Sequence, residues 1–292
     1  MSIRQLVVAT VIGGLPGCLR AQVPPTPPQP LTVEGASTYI YKTIDTVQLR
    51  LHVFAPKPPL TSPRPAVLFF LGGGWLNGDV KQFIPQATHL AELGVVGVLV
   101  DYRVKYRHQT TPFEAMADAK SAIRWARAHA SDLGIDPGRV AAGGGSAGGH
   151  VALSAAVFDR FDDPNEDQST SSKPNLLVLF NPVVDATTPA RNGHFNGRGR
   201  EGSPLHHEFH SLPPTLILHG KDDKSVPYAD VERFCNDARA RGLPCELIGY
   251  DGAGHGFFNP SVEEGKWYRE TVSAMDAFLT RFGYMAPPLD PR

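Results

Sequence analysis

The stretch Ala142-Gly143-Gly144-Gly145-Ser146-Ala147-Gly148-Gly149-His150 decides how this chain is read. Its core is Gly144-x-Ser146-x-Gly148, the spacing in which a serine stands on a sharp turn between a buried strand and a helix. A serine that presents its hydroxyl at the tip of such a turn takes a strained backbone conformation, and side chains two residues to either side would collide. Glycine at both places removes the collision. The flanks agree: Arg139-Val140-Ala141-Ala142 reads as a short strand of small residues, and Ala147 to Phe158 reads as a helix. A phosphate loop is excluded, because no lysine follows these glycines at the spacing such loops need. A glycine-rich hinge is the remaining alternative.

Downstream segments complete the pattern. Pro214-Thr215-Leu216-Ile217-Leu218-His219-Gly220 is a buried strand running into a loop that carries Asp222 and Asp223. Cys245-Glu246-Leu247-Ile248-Gly249-Tyr250 is another strand, followed by Asp251-Gly252-Ala253-Gly254-His255-Gly256-Phe257-Phe258. Serine, then acid, then histidine, the latter two on loops after strands, is the chain order of the α/β-hydrolase triad. Upstream, Val67-Leu68-Phe69-Phe70-Leu71 runs into Gly72-Gly73-Gly74-Trp75.

With these segments in hand, the chain resembles the α/β-hydrolase esterases of the hormone-sensitive-lipase and acetyl-esterase group, close to secreted bacterial carbohydrate esterases of the acetyl xylan and feruloyl type. The resemblance rests on Gly72-Gly73-Gly74-Trp75, Asp101-Tyr102-Arg103, Gly144-Gly145-Ser146-Ala147-Gly148-Gly149-His150, His219-Gly220-Lys221-Asp222-Asp223 and Gly254-His255-Gly256-Phe257, and spans residues 37 to 282. It implies a serine carboxylesterase acting through an acyl-enzyme, with no cofactor and no metal. Ser146 is then the nucleophile, His255 the base and Asp223 the acid that orients it. Backbone N–H groups of Gly73, Gly74 and Ala147 form the oxyanion hole. One departure is plain: the histidine that usually precedes the three glycines is Leu71 here, so a side chain that often pins this loop is missing.

The rivals for each role are few. His150 lies one helical turn past Ser146, where a structural role is expected. Asp222 neighbours Asp223, and Asp185 follows an earlier strand. Asp223 is preferred because it stands four residues after the histidine of His219-Gly220, as in the family.

Bulk composition bounds the rest. Of 292 residues, 20% are charged and 41% apolar, and the net charge is −1. No basic surface argues for nucleic acid, and no acidic tail argues for a disordered partner. The resemblance, in turn, implies a small-molecule or polysaccharide ester as substrate. At the N-terminus Arg4 precedes an apolar run from Leu6 to Leu15, well short of the roughly 18 residues of a membrane span. Pro16-Gly17 breaks it, and Ala21 is a small residue for a signal peptidase. Residues 1–21 are expected to be a signal peptide, residues 22–36 a proline-rich linker and residues 37–285 the catalytic domain. The protein is then periplasmic or extracellular; a lipoprotein anchored through Cys18 is the rival reading. In an exported protein Cys235 and Cys245, at either end of a helix–turn–strand segment, are expected to form a disulfide, two buried thiols being the alternative.

The chain alternates strand and helix. Thr38 to Ile44 and Val47 to Phe54 read as an antiparallel pair. Continuous apolar runs follow at 67–71, 95–100, 140–142, 176–180, 216–219 and 247–250, the pattern of strands buried on both faces. Between them, Pro112 to Ala130 carries Ala115, Ala119, Ala122, Ile123 and Ala126 on one helical face. The fold class is α/β: the α/β-hydrolase fold, a mostly parallel sheet with helices on both faces and a minimal cap. Residues 159–174 read as a polar surface loop. Residues 182–214, with Arg191, His194, Arg198, Arg200, His206, His207 and His210, read as a long irregular loop near the site, its histidines solvated and not spaced as metal ligands.

No helical cap and no apolar lid are expected, and for such an open site the resemblance implies short acyl groups on bulky polar alcohols, such as acetyl or feruloyl esters of plant polysaccharide. A serine peptidase of this fold would usually carry a gating domain, for which the chain is too short. A non-catalytic binding protein on this fold would be expected to lose the histidine or the aspartate, and both are present.

Overall fold

The computed structural model describes residues 27–57 and 62–286. The expected signal peptide, Cys18 and the first part of the expected linker lie outside the described residues. Eight strands form one sheet: β1 Ser37–Ile44, β2 Val47–Phe54, β3 Arg64–Phe70, β4 Val96–Val100, β5 Ile135–Gly145, β6 Leu176–Phe180, β7 Thr215–Gly220 and β8 Cys245–Tyr250. Their order is β1-β2-β4-β3-β5-β6-β7-β8. β1 and β2 pair antiparallel, as does β2 with β4, and every pair from β4 onward is parallel. The helices are α1 Ile84–Glu92, α2 Lys105–His108, α3 Pro112–Ala128, α4 Ala130–Leu133, α5 Ala147–Val157, α6 Pro189–His194, α7 Tyr228–Ala240 and α8 Lys266–Arg281.

The apolar runs become strands because both sheet faces are covered: every residue of β4, β6 and β7 is buried. On α3 the expected stripe of Ala115, Ala119, Ala122, Ile123 and Ala126 has no exposed surface. Thr111 starts that helix by accepting the Phe113 N–H, while the Glu114 carboxylate accepts the Thr111 N–H. α3 packs beside α5, and α1 meets α8 through His89 Nε2, 2.8 Å from Asp276 Oδ2. The 159–174 segment is tied down by charge. Lys42 Nζ lies 2.8 Å from Asp163 and 3.2 Å from Glu166, and Arg124 reaches Asp162 and Glu166.

Three expectations change. β5 is much longer than 140–142: Gly143 and Gly144 go on to pair with Phe69 and Phe70, and at its start, across a register shift, Ile135 stands opposite Arg64. The part of the expected linker that is described is not free of the body: Val33 is buried in the core, and the Gln29 side chain bonds Gly78 and Val80. The 182–214 segment is an ordered excursion rather than an irregular loop. It contains α6 and two 3-10 turns, Gly199–Gly202 and Pro204–His206, and buries Phe195, Leu205, Phe209 and Leu212. Its apolar residues follow no helical or strand period, so their packing partners lie far away in sequence.

Candidate active site

The sheet register lines up the strand ends that matter. Phe70 stands opposite Gly144, Gly145 opposite Phe180, Phe180 opposite Leu218, and Gly220 opposite Tyr250. Loops leaving β3, β5, β6, β7 and β8 therefore emerge at one edge, where parallel sheets bind ligands.

Ser146 occupies the β5–α5 turn at φ 54°, ψ −117°, the strained conformation that the glycine spacing implies. The close approach is severe: a Cβ on Gly148 would fall 2.1 Å from the Phe70 carbonyl oxygen, and one on Gly144 would fall 2.6 Å from the same atom. Ser146 N–H donates to Phe180 O at 2.9 Å, which fixes the turn to β6.

From that turn the Ser146 hydroxyl lies 3.1 Å from His255 Nε2, and His255 Nδ1 lies 2.7 Å from Asp223 Oδ2. The other carboxylate oxygen, Oδ1, accepts the backbone N–H groups of Ser225 at 2.8 Å and Val226 at 2.9 Å. Burial alone would raise the pKa of Asp223; the hydrogen bonds from His255 and from these two N–H groups outweigh it and hold the acid below its usual range. A charged Asp223 requires Nδ1 to carry the imidazole proton, leaving the Nε2 lone pair for the serine hydroxyl.

The rivals are placed elsewhere. His150 is fully buried, with Nε2 2.6 Å from Gly202 O, and its ring meets Trp75 and Phe195 edge-on. Burial pushes its pKa down to about 4, so it is neutral near pH 7. Asp222 is exposed, and Asp185 faces His206 at 3.3 Å. The excursion's histidines are only partly solvated: His194 packs near Trp75 and His207 against Phe158, while His210 is exposed. Among the described residues no group of three or more His, Cys, Asp or Glu is placed to hold a metal ion.

Gly73 and Gly74 border, together with Ser146 and His255, a cavity of about 460 Å³. Ala147 opens α5, so its N–H sits at the positive end of that helix. Sequence reading missed five further residues of this cavity: Gly78, Asp79, Gln82, Asn181 and Asn259. Asn181 had one available signal, its place directly after β6 at the same edge as Ser146. Its Oδ1 accepts the N–H of Gly256, the residue after His255, at 3.2 Å. Gln82 had none. Asp101-Tyr102-Arg103 supports the site from below, the Tyr102 hydroxyl donating to Leu71 O at 2.6 Å and Arg103 pairing with the buried Asp118.

The BD-FAE family model matches residues 51–197, half of the chain, and the prolyl oligopeptidase family model matches residues 169–281. Thermogutta terrifontis esterase 2, solved with propionate bound, is 38% identical with a TM-score of 0.83, covering 88% of this chain and 97% of that one. The chain belongs to the α/β-hydrolase esterases. Esterase LipC of Mycobacterium tuberculosis is 30% identical over 266 residues, which are 81% of this chain and 63% of LipC. The probable carboxylic ester hydrolase LipM of the same organism is 31% identical over 63% of this chain and 47% of that protein. The chain thus spans between about half and two thirds of the length of those curated relatives.

Cys235 on α7 and Cys245 at the start of β8 are joined in the structure, their Cα atoms 5.5 Å apart, a separation typical of a disulfide. No helix among the described residues is long and apolar enough to cross a membrane.

Proposed function

We propose that this hydrolase cleaves short-chain carboxylic esters of polar, hydroxylated alcohols, acetylated carbohydrate among them, through an acyl-enzyme on Ser146. The observation that carries the reading is the unbroken hydrogen-bond line from Ser146 Oγ through His255 to buried Asp223, opening on the glycine-walled cavity. As Oγ attacks the ester carbon, its proton passes to His255 Nε2. The carbonyl oxygen becomes an oxyanion facing the N–H groups of Gly73, Gly74 and Ala147, donors worth on the order of 3 kcal/mol each in such sites. Asp223 stabilises the imidazolium. Collapse expels the alcohol with the proton from His255. A water then attacks the acyl-serine, giving its proton to His255, and the second collapse returns that proton to Ser146 Oγ and frees the acid.

Two features support the substrate class. Asp79, Gln82 and Asn259 give the cavity a polar border suited to hydroxyl groups. Relative structures of Thermogutta terrifontis esterase 2 hold propionate and butyrate, both short acyl acids. The prolyl oligopeptidase match includes Asp223 and His255 but not Ser146, so a peptide amide belongs in the test as the competing substrate.

The test is kcat/KM for p-nitrophenyl acetate, butyrate, octanoate and palmitate without detergent, beside acetylated xylan, methyl ferulate and a peptide anilide. Each methylene left in water forgoes about 0.8 kcal/mol of burial, so the maximum is expected between acetyl and butyryl. A maximum at octanoyl or beyond, or faster peptide cleavage, would overturn the assignment. Export with cleavage near Ala21, and an oxidised Cys235–Cys245 bridge, complete the proposal. N-terminal sequencing and non-reducing peptide mapping of the mature protein check both; an intact Met1 or two free thiols would contradict them.

A further inference from the structure

We propose that Gln82, on a turn held by Gln29, is the positioning residue for the oxyanion donors and takes over the task of the family histidine that Leu71 replaces. Three successive glycines, Gly72 to Gly74, have no side chains with which to hold one backbone conformation, and glycine loses more freedom on ordering than any other residue. Gly73 and Gly74 sit at φ +135° and +64°. N–H groups that wander cannot stabilise developing charge, so something must fix the peptide that leads into them.

That fixing comes from two layers. In the inner one, Gly72 N–H donates to Gln82 Oε1 at 2.7 Å, and the carbonyl of Leu71 accepts the Tyr102 hydroxyl at 2.6 Å. The peptide joining Leu71 to Gly72 is therefore held at both its oxygen and its nitrogen. In the outer layer, Gln82 lies on a 3-10 turn, Val80–Phe83, capped by the Asp79 side chain. The Gln29 carboxamide spans the base of this turn: Oε1 accepts Val80 N–H at 3.1 Å and Nε2 donates to Gly78 O at 3.2 Å. Gly78 in turn lies flat against Gly72, where an added Cβ would come within 2.2 Å of the Gly72 carbonyl oxygen. Gln29 thus holds both the turn that carries Gln82 and the loop segment that backs Gly72. Gln82 borders the cavity and Gln29 does not, so Gln29 acts only through the loop.

The inference rests on the acyl-transfer reading of the site for its kinetic consequence, and on backbone exchange for a consequence that does not need that reading. Gln82→Met keeps length and volume and removes the acceptor; Gln29→Met does the same one layer out. Expected for Gln82→Met is a fall in kcat on the order of tenfold with KM within about twofold, and an equal loss of affinity for a trifluoromethyl ketone, which binds as a tetrahedral anion. Gln29→Met should lose less, and should add little when combined with Gln82→Met, since both act on one hydrogen bond. In hydrogen–deuterium exchange, the peptide containing residues 71–78 should exchange faster in both variants. Should Gln82→Met fail to fold, Gln29→Met carries the same readouts. Unchanged kcat in an active protein, a loss carried wholly by KM, or unchanged exchange at 71–78 would overturn the brace. A wild type without ester turnover would instead refute the proposed reaction, and exchange would still decide on the brace.

Discussion

Two walls near Ser146 are built differently: one is backbone that borders the cavity, and the other is a cluster of rings, Trp75, Phe113, His150 and Phe195, that lies outside the cavity lining. The backbone wall is Leu71 to Gly78 laid against Gly144 to Gly148, where a Cβ on Gly73, Gly78, Gly144 or Gly148 would fall within 2.6 Å of a backbone oxygen. The aromatic wall is the excursion after β6, where the Phe195 ring sits 5.3 Å from Trp75, 5.2 Å from Phe113 and 5.8 Å from His150. The proposed oxyanion donors lie on the first wall, and the second holds none of the proposed catalytic groups. A site of this kind separates geometry that admits no Cβ from packing that responds to volume, and the two respond differently to mutation.

The harshest way to break the contrast is Gly148→Ala. Its Cβ would meet the Phe70 and Leu71 carbonyl oxygens at the end of β3 at 2.1 and 2.4 Å, and a central strand of the sheet has no room to retreat. Loss of more than about 4 kcal/mol is expected, with no folded, active protein at 37 °C. Chemical unfolding followed by circular dichroism checks this, and a variant with the wild-type midpoint would show that the backbone wall has slack. On the aromatic wall, Phe195→Ala should cost about 3–5 kcal/mol of stability through the cavity it leaves. Its effect on kcat at a temperature where it remains folded should be no more than several-fold. A kcat loss as large as that of a triad variant would mean that the excursion shapes the chemistry directly.

The mildest probe is pH. His150 is buried and neutral, its pKa near 4 against about 6.5 in an unfolded chain. Above pH 6.5 neither state protonates it. As pH falls from about 6.5 to about 4 the unfolded chain takes up the proton first, so folding stability is lost across that window, by at most about 3 kcal/mol from this residue. His52, also lowered to about 4, adds to the loss. Asp101 works the other way, because burial raises its pKa to about 7 and its protonated form favours the folded state as pH falls. Melting curves of wild type and His150→Gln over this range cancel the other two contributions. The variant's drop should be smaller, and an equal drop would mean that His150 is not held neutral by the aromatic wall.

How far the sequence was legible follows from the same contrast. Backbone crowding writes itself locally: Gly144, Ser146 and Gly148 must stand two apart, and strands buried on both faces must be apolar throughout, so the elbow and most of the sheet could be read directly. Asp223 and His255 could be placed because each follows a strand whose end faces the same edge. Packing between distant segments leaves no such record. Nothing near Phe195 announces Trp75 or Phe113, and Gln82 is one polar residue on a short turn, ten positions from the N–H it binds. Prolines in residues 22–36 read as a linker, although Gln29 and Val33 are held by contacts some fifty positions away and by the core.

The central claim, a covalent role for Ser146 on the backbone wall, is reached most directly by peptide-level mass spectrometry after treatment with a fluorophosphonate, in wild type and in Ser146→Ala. The predicted result is one adduct, on the peptide that contains Ser146, appearing in step with the loss of ester turnover. The folded Ser146→Ala protein should show neither adduct nor turnover. An adduct on another residue, or a Ser146→Ala protein that retains wild-type hydrolysis, would contradict it.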